Sequence, residues 1–265
     1  MSSALTVLKE QINNFYLVRR LSVYEVKSAN SNNYLGILWE IINPMIQIAI
    51  YWFVFGFGIL NRGEEFLPWL MAGIVVWFFV NPAITQTSKS VYSRLNMVSK
   101  MSFPMSVIPS YVIFAKLYQH LVLLGVIIIL LGFTGYLPTV YIIQLPYYVA
   151  ATVALLFSFG LISSTLSTII RDVHNMIVSL MKVLFYLTPI LWVLNANDHP
   201  VIVKIMKLNP LYYIVDGYRA SLLGESWYLI VNWEYTLYFW AVVIVFFLIG
   251  SSLHVRFRDR FVDFK

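Results

Sequence analysis

The sequence predicts an all-α integral membrane protein with six transmembrane helices. Three observations carry this. Apolar residues make up 60% of the 265-residue chain and charged residues only 11%, so a soluble fold would lack a polar surface. Six apolar stretches are each about 20 residues long, enough to cross a hydrocarbon core as helices with internally satisfied backbones. Lysines and arginines gather in alternate connections, which sets the orientation.

The elements follow in order. Residues 1–36 form a cytoplasmic and interfacial segment. Within it Leu5, Leu8, Ile12 and Phe15 fall on one helical face opposite Lys9, Glu10, Gln11 and Asn13, the pattern of an amphipathic interface helix. No cleavable signal peptide is visible in this basic stretch. The six-span domain occupies 37–255, with spans at 37–60, 66–85, 105–133, 141–170, 176–194 and 235–255; residues 256–265 form a cytoplasmic tail. Pro44, Pro109, Pro146 and Pro189 sit in outer turns, where a missing N–H is tolerated.

The connection between spans two and three carries Lys89, Arg94 and Lys100 without an acid, and the tail carries Arg256, Arg258, Arg260 and Lys265. The connection at 61–65 balances Arg62 with Glu64 and Glu65, and 132–140 is uncharged. Both termini are therefore expected in the cytoplasm of a multi-pass protein of the plasma membrane.

Between spans five and six, 195–234 is too long for a plain turn. Its apolar pieces, 201–206 and 211–223, are too short to span. Asn209-Pro210 reads as an N-cap followed by proline at the first helical position, and Gly224 as a stop. Two short re-entrant helices on the external side fit this pattern.

The chemistry is sparse. The chain has no cysteine, no GxxxxGK[ST] phosphate loop, no HExxH and no GxSxG. His120, His174, His199 and His254 are scattered. No metal site, catalytic centre or resident cofactor is expected, and the basic residues flank apolar segments rather than forming a nucleic-acid face. Glu40 lies near the inner end of its span, with Lys116, Lys182 or an interfacial base as its expected ion-pair partner. A membrane-embedded transferase lacks the acidic or histidine cluster it needs. An ATPase-independent carrier lacks a midplane acid and an inverted repeat.

Aromatic residues are abundant: Tyr51 and Phe55 in span one, Trp77 in span two, Phe185 and Trp192 in span five. Most such rings serve lipid packing and interfacial belts. They also offer flat apolar faces along which a sugar chain can slide. In the basic connection Val91, Leu95 and Val98 mark one face of a short helix, with Arg94 and Lys100 on others. Such a helix across the inner surface is shaped to pass force from a soluble partner, where a mere turn would be shorter.

Four stretches resemble the permease subunits of ABC-2-type polysaccharide exporters. They are NNYLGILWEIINPMIQIAIYWFVFG at 32–56, LMAGIVVWFFVNPAITQTSKSVYSRLNMVSKMSFPMSVIPS at 70–110, TLSTIIRDVHNM at 165–176 and LNPLYYIVDGYRASLLG at 208–224. The second resembles above all the wall teichoic acid translocation permeases of Gram-positive bacteria. The resemblance implies a homodimer working with two soluble ATP-binding subunits, which would hold ATP and Mg, and a lipid-linked anionic polymer as substrate. O-antigen or capsule polymers are the alternative cargo.

By the same resemblance Tyr92, Arg94, Leu95, Met97, Lys100 and Phe103, with Arg171 and Asp172, would couple to the ATPase. Tyr51, Phe55, Trp77, Phe185 and Trp192 would line the path, and Tyr212, Tyr213 and Arg219 the outer gate. Arg19, Arg20, Lys27 and Lys89 would receive the substrate's pyrophosphate at the inner entrance.

Overall fold

A computed structural model describes residues 3–31, 34–59, 65–95, 103–192 and 200–264. Every regular element among them is helical. Five helices are long and apolar enough to cross a membrane: Gly36–Gly56, Phe66–Ser88, Val107–Phe133, Val140–Ile169 and Trp233–Phe261. The protein is a multi-pass membrane protein.

The amphipathic start of the chain is two helices rather than one, α1 (Ser3–Asn13) and α2 (Phe15–Asn30). They break at Asn14, whose side chain donates to the Glu10 carbonyl at 2.8 Å. The apolar stripe faces outward: Leu5, Ile12 and Phe15 are exposed, while Val7 and Val18 are buried. Glu10 and Gln11 of the polar face turn inward, while Lys9 and Asn13 stay exposed. Gln11 donates to the Ser106 carbonyl at 2.9 Å and accepts from the Ser110 hydroxyl at 2.7 Å. Glu10 accepts from Ser106 and pairs with Arg258, both at 2.5 Å. This inversion suits a helix lying in a bilayer interface, with lipid covering its apolar side.

α3 (Trp39–Tyr51) continues into a π-helical turn, Trp52–Ile59. α4 (Phe66–Ser88) is the centre of the bundle: 61% of its most apolar window is buried, against 6% for the first candidate span. α3 is therefore peripheral. α5 (Val107–Phe133) and α6 (Leu145–Ile169) follow, then α7 (Asp172–Leu187).

The 16 residues of α7 rise about 24 Å. This is shorter than the span expected at 176–194, of which 193–199 lie outside the described residues. α7 nevertheless carries the chain from one end of the bundle to the other. Ser88 meets His174 at its start, and the Ile190 carbonyl just beyond it accepts from Arg219.

Three short helices then cap the far end: α8 (Pro200–Lys207), α9 (Pro210–Leu222) and α10 (Tyr228–Val231). The expected N-cap is present, since Asn209 Oδ1 accepts from the Leu211 N–H at 3.0 Å with proline at the first turn. Gly224 ends the segment at φ +73°, a conformation glycine adopts without penalty. α11 (Trp233–Phe257) returns the chain to the end where α1 lies.

Close approach between helices depends on small residues. A Cβ at Gly250 would press on the Ser158 carbonyl of α6, and one at Gly160 on Thr87 of α4. Two α6 hydroxyls return to their own helix, Ser158 donating to Ala154 O at 2.8 Å and Thr168 to Ser164 O at 2.7 Å, while Thr165 Oγ1 lies 3.0 Å from His254 Nδ1 of α11. The first two are thereby satisfied without a partner helix.

Candidate functional site: a polar cavity between α3, α4, α5 and α7

One flank of α4 borders a cavity of about 880 Å³. α3 contributes a helical stripe to it: Glu40, Asn43, Gln47 and Tyr51, spaced three or four apart so that they share a face. α4 contributes Trp77, Phe78 and Asn81; α5 contributes Lys116, Gln119 and His120; α7 contributes Lys182, Phe185 and Tyr186. Polar side chains at this depth belong against a water-filled or substrate-filled space rather than lipid.

Two prolines add to that polarity. Pro44 and Pro82 are helix-interior residues that line the cavity. Each lacks an N–H, so the carbonyls of Glu40 and Phe78 lose their usual helical partners. Freed backbone groups inside a membrane are tolerated where they border such a cavity.

The aromatic side of the wall is continuous. Phe185 lies 5.8 Å from Tyr51, 5.2 Å from Trp77 and 5.2 Å from Tyr186, centroid to centroid. Three of the five expected path residues, Tyr51, Trp77 and Phe185, thus meet on one surface. Phe55 stands behind Tyr51 at 6.3 Å without lining the cavity. Trp192 donates its indole N–H to the Tyr186 carbonyl at 2.9 Å.

The ion pair expected for Glu40 is not formed among the described residues; its carboxylate accepts from Gln119 at 2.7 Å instead. Lys116 and Lys182 face the same space. His120 forms part of the inner wall, stacked on Phe79 at 4.7 Å, with Nε2 2.9 Å from the Tyr218 hydroxyl of α9. It joins the cavity to the far-end helices.

A smaller chamber of about 330 Å³ adjoins the cavity and shares Asn81 and Lys182 with it. Of the four cations expected at an entrance, Lys89 lines this chamber. Arg19, Arg20 and Lys27 are exposed on α2 and line neither space.

The expected coupling segment begins as a short 3-10 turn, Tyr92–Arg94; Met97 and Lys100 lie outside the described residues. Arg94 does not point outward as a free cation. It pairs with Glu25 of α2 at 2.6 Å and lies 5.3 Å over the Tyr111 ring. Leu95 is buried with Val18, Val91 and Phe261, and Phe103 packs on that cluster. Tyr92 meets the His174 ring edge-on at 6.2 Å. Arg171 and Asp172 are exposed beside it at the start of α7. The two expected coupling regions are therefore neighbours.

The expected gate residues are mostly interior. Tyr213 is fully buried, within 3.1 Å of the Tyr147 hydroxyl and 2.9 Å of Thr236 Oγ1. Arg219 is 4% exposed, 3.5 Å over the Trp69 ring, and reaches the Trp69 and Ile190 carbonyls at 3.4 and 3.3 Å. Asp216 lies 3.7 Å from its guanidinium. A Cβ at Gly73 would fall on that guanidinium, so glycine at 73 admits Arg219. Tyr212 is half-buried against Tyr235.

The family model for ABC-2 type transporters matches residues 16–223. The chain belongs to the ABC-2 type transporter family. Its curated relatives include the O-antigen export system permease protein RfbA of Myxococcus xanthus, 21% identical over 90% of this chain and 91% of that one. Two proteins of the same description from Klebsiella pneumoniae are each 24% identical. One of them aligns over 97% of this chain and 98% of its own length. The matched region of this ABC-2 chain contains the cavity, the chamber, the Tyr92–Arg94 turn and the far-end helices α8 and α9.

Residues absent from the expected site but present in the cavity are Asn43, Gln47, Asn81, Gln119 and the lysine pair. The signal for them was legible: polar residues repeating at three- and four-residue spacing inside apolar spans. His174 gave no such signal, because its position is set by the packing of α7 on α4.

Proposed function

We propose that this chain is the membrane subunit of an ATP-driven exporter of a lipid-linked cell-surface polysaccharide. The observation that carries the reading is the cavity. Its wall of Tyr51, Trp77 and Phe185 offers flat faces to sugar rings, while amides and two lysines beside it suit hydroxyls and phosphates. The chain works as a homodimer with two soluble ATP-binding subunits that hold ATP and Mg and do the hydrolysis.

In this reading α7 completes six crossings and both termini are cytoplasmic. α1 and α2 lie on the inner surface of the plasma membrane. ATP-driven approach of the two soluble subunits acts on the segment after Tyr92. Because Arg94 ties that turn to Glu25, α2 moves with it. His120 and Tyr218 offer a route from the cavity wall to the outer helices. The nucleotide must favour one arrangement through contacts that differ between the two states.

The cargo is a wall teichoic acid polymer on a diphospholipid. Cationic side chains along the cavity support an anionic chain. O-antigen polymer is the second reading, favoured by the likeness to three O-antigen export permeases.

The test is ATP-dependent uptake of labelled, lipid-linked polymer into sealed vesicles holding the chain and its ATP-binding subunit. Teichoic acid uptake exceeding O-antigen uptake is the expected result. Equal transport by the chain alone, without the ATP-binding subunit, would refute the exporter reading.

A further inference from the structure

The 330 Å³ chamber lies between two facing stripes, Asn81 and Thr85 of α4 with Lys89 just past its end, and His174, Val178 and Lys182 on α7, with Gln86 beside the first. Each stripe repeats every four residues, so each presents one face. The lining contains two ammonium groups and an imidazole, and no carboxylate. The geometry points to a phosphate-binding site here, taking the diphosphate that links polymer to lipid, with His174 gaining a proton when the anion enters. This rests on the exporter reading and names the group recognised and where.

The hydrogen bonds around His174 define its two forms. Ser88 Oγ donates to the Thr85 carbonyl at 2.9 Å and lies 2.7 Å from His174 Nδ1. For both bonds to be made at once, Nδ1 must carry the proton, because a hydroxyl has only one to give. Neutral His174 then presents Nε2 as an acceptor, which repels an anion. The imidazolium presents Nε2–H as a donor.

Burial first, and the Lys89 ammonium second, hold His174 below its ordinary histidine range. Its surroundings are otherwise poor in acid. Lys89 comes from the end of α4, Lys182 and Asp172 from its own helix, and Arg171 and Tyr92 lie beside it. α6, which also packs on α7, has no Asp, Glu, Lys, Arg or His between Leu145 and Ile169. An entering dianion offsets the two lysines and stabilises the imidazolium, so binding and proton uptake are linked.

Position gives the site its use. The chamber shares Asn81 and Lys182 with the main cavity, and Tyr92 of the coupling turn contacts the His174 ring. A phosphate held here touches both the path and the element that meets the ATPase.

The test uses the purified full chain in phosphatidylcholine nanodiscs, with inorganic sulfate as the probe because it stays a dianion from mildly acidic to neutral pH, whereas a phosphate monoester takes up its second proton at about pH 6. Binding is followed by calorimetry at constant ionic strength. Lys89→Gln and Lys182→Gln are each expected to weaken sulfate about tenfold, the scale of one charge-assisted hydrogen bond. Lys204→Gln, on α8 at the other end, should leave it unchanged.

Wild-type affinity should rise with acidification, accompanied by proton uptake. His174→Asn keeps an amide donor near the Nδ1 position for Ser88 and removes Nε2, so it should abolish the pH dependence while the chain stays folded. Lys182→Gln provides the second measurement if it does not fold. Polyprenyl diphosphate added to the discs should displace sulfate, and phosphatidylglycerol should not.

Equal sulfate binding in all variants would overturn the site. Displacement by phosphatidylglycerol alone would overturn the linker assignment in favour of a headgroup. No ATP, partner or polymer is needed, so failure of this site and failure of the exporter reading are separate results.

Discussion

Replacing Arg94 by glutamate tests how α2 is held to the coupling turn. Arg94 and Glu25 form a charged hydrogen bond at 2.6 Å, with side chains 23% and 34% exposed. A fully buried bond of this type is worth about 1.5–3 kcal/mol and an exposed pair well under 1, so about 1 kcal/mol suits this partly screened one. Reversal replaces the attraction by a repulsion of similar size. The total, about 2 kcal/mol, shifts the ratio of docked to undocked α2 by roughly 30-fold.

The chain has no cysteine, so spin labels at Tyr24→Cys and Ser93→Cys, both exposed positions, report this distance within one protomer when labelled chains are diluted with unlabelled ones. The wild-type distribution should be narrow and that of Arg94→Glu broad. The exchanged pair, Arg94→Glu with Glu25→Arg, should narrow it again and restore export per ATP hydrolysed. An unchanged distribution in Arg94→Glu, or no recovery on exchange, refutes the argument that this pair ties α2 to the turn.

Two further outcomes follow from the far-end helices. A Cβ at Gly217 would fall on the buried Tyr148 ring; Gly217→Ala should destabilise the chain by about 1–3 kcal/mol through overpacking, read as a lower melting temperature in detergent. Desolvation lifts the Asp216 carboxyl to about 6 despite the opposing Arg219 charge. A carboxyl raised on folding adds stability that is complete below its unfolded value, near 3.8, and is lost as pH rises through about 6. Melting temperature should therefore rise on acidification across that window, and Asp216→Asn should flatten the slope.

The residues that were readable and those that were not differ for a physical reason. α4, α5, α6 and α11 announce themselves, because a helix in lipid must be long and apolar whatever it packs against. The Asn209-Pro210 start of α9 was equally visible, since capping is local chemistry. The division of the N-terminal segment at Asn14 was not, and neither was the inward turn of Glu10 and Gln11, which depends on Ser106, Ser110 and Arg258. Arg219 was expected at the outer gate only through the family resemblance, which says nothing of its partners. Its burial over Trp69 depends on Gly73, distant in sequence.

Composition and periodicity by themselves settled that this chain lives in a membrane, located the five long apolar helices that can cross it and showed that its polar residues repeat along helical faces. Both follow from interactions between near neighbours and solvent. Which faces meet was decided only by tertiary packing. Glu40 chose Gln119 over a lysine, Arg94 chose Glu25, and Lys89, His174 and Lys182 came together around one chamber. Such partners are set by how whole helices fit against one another, and no local run of residues specifies that fit.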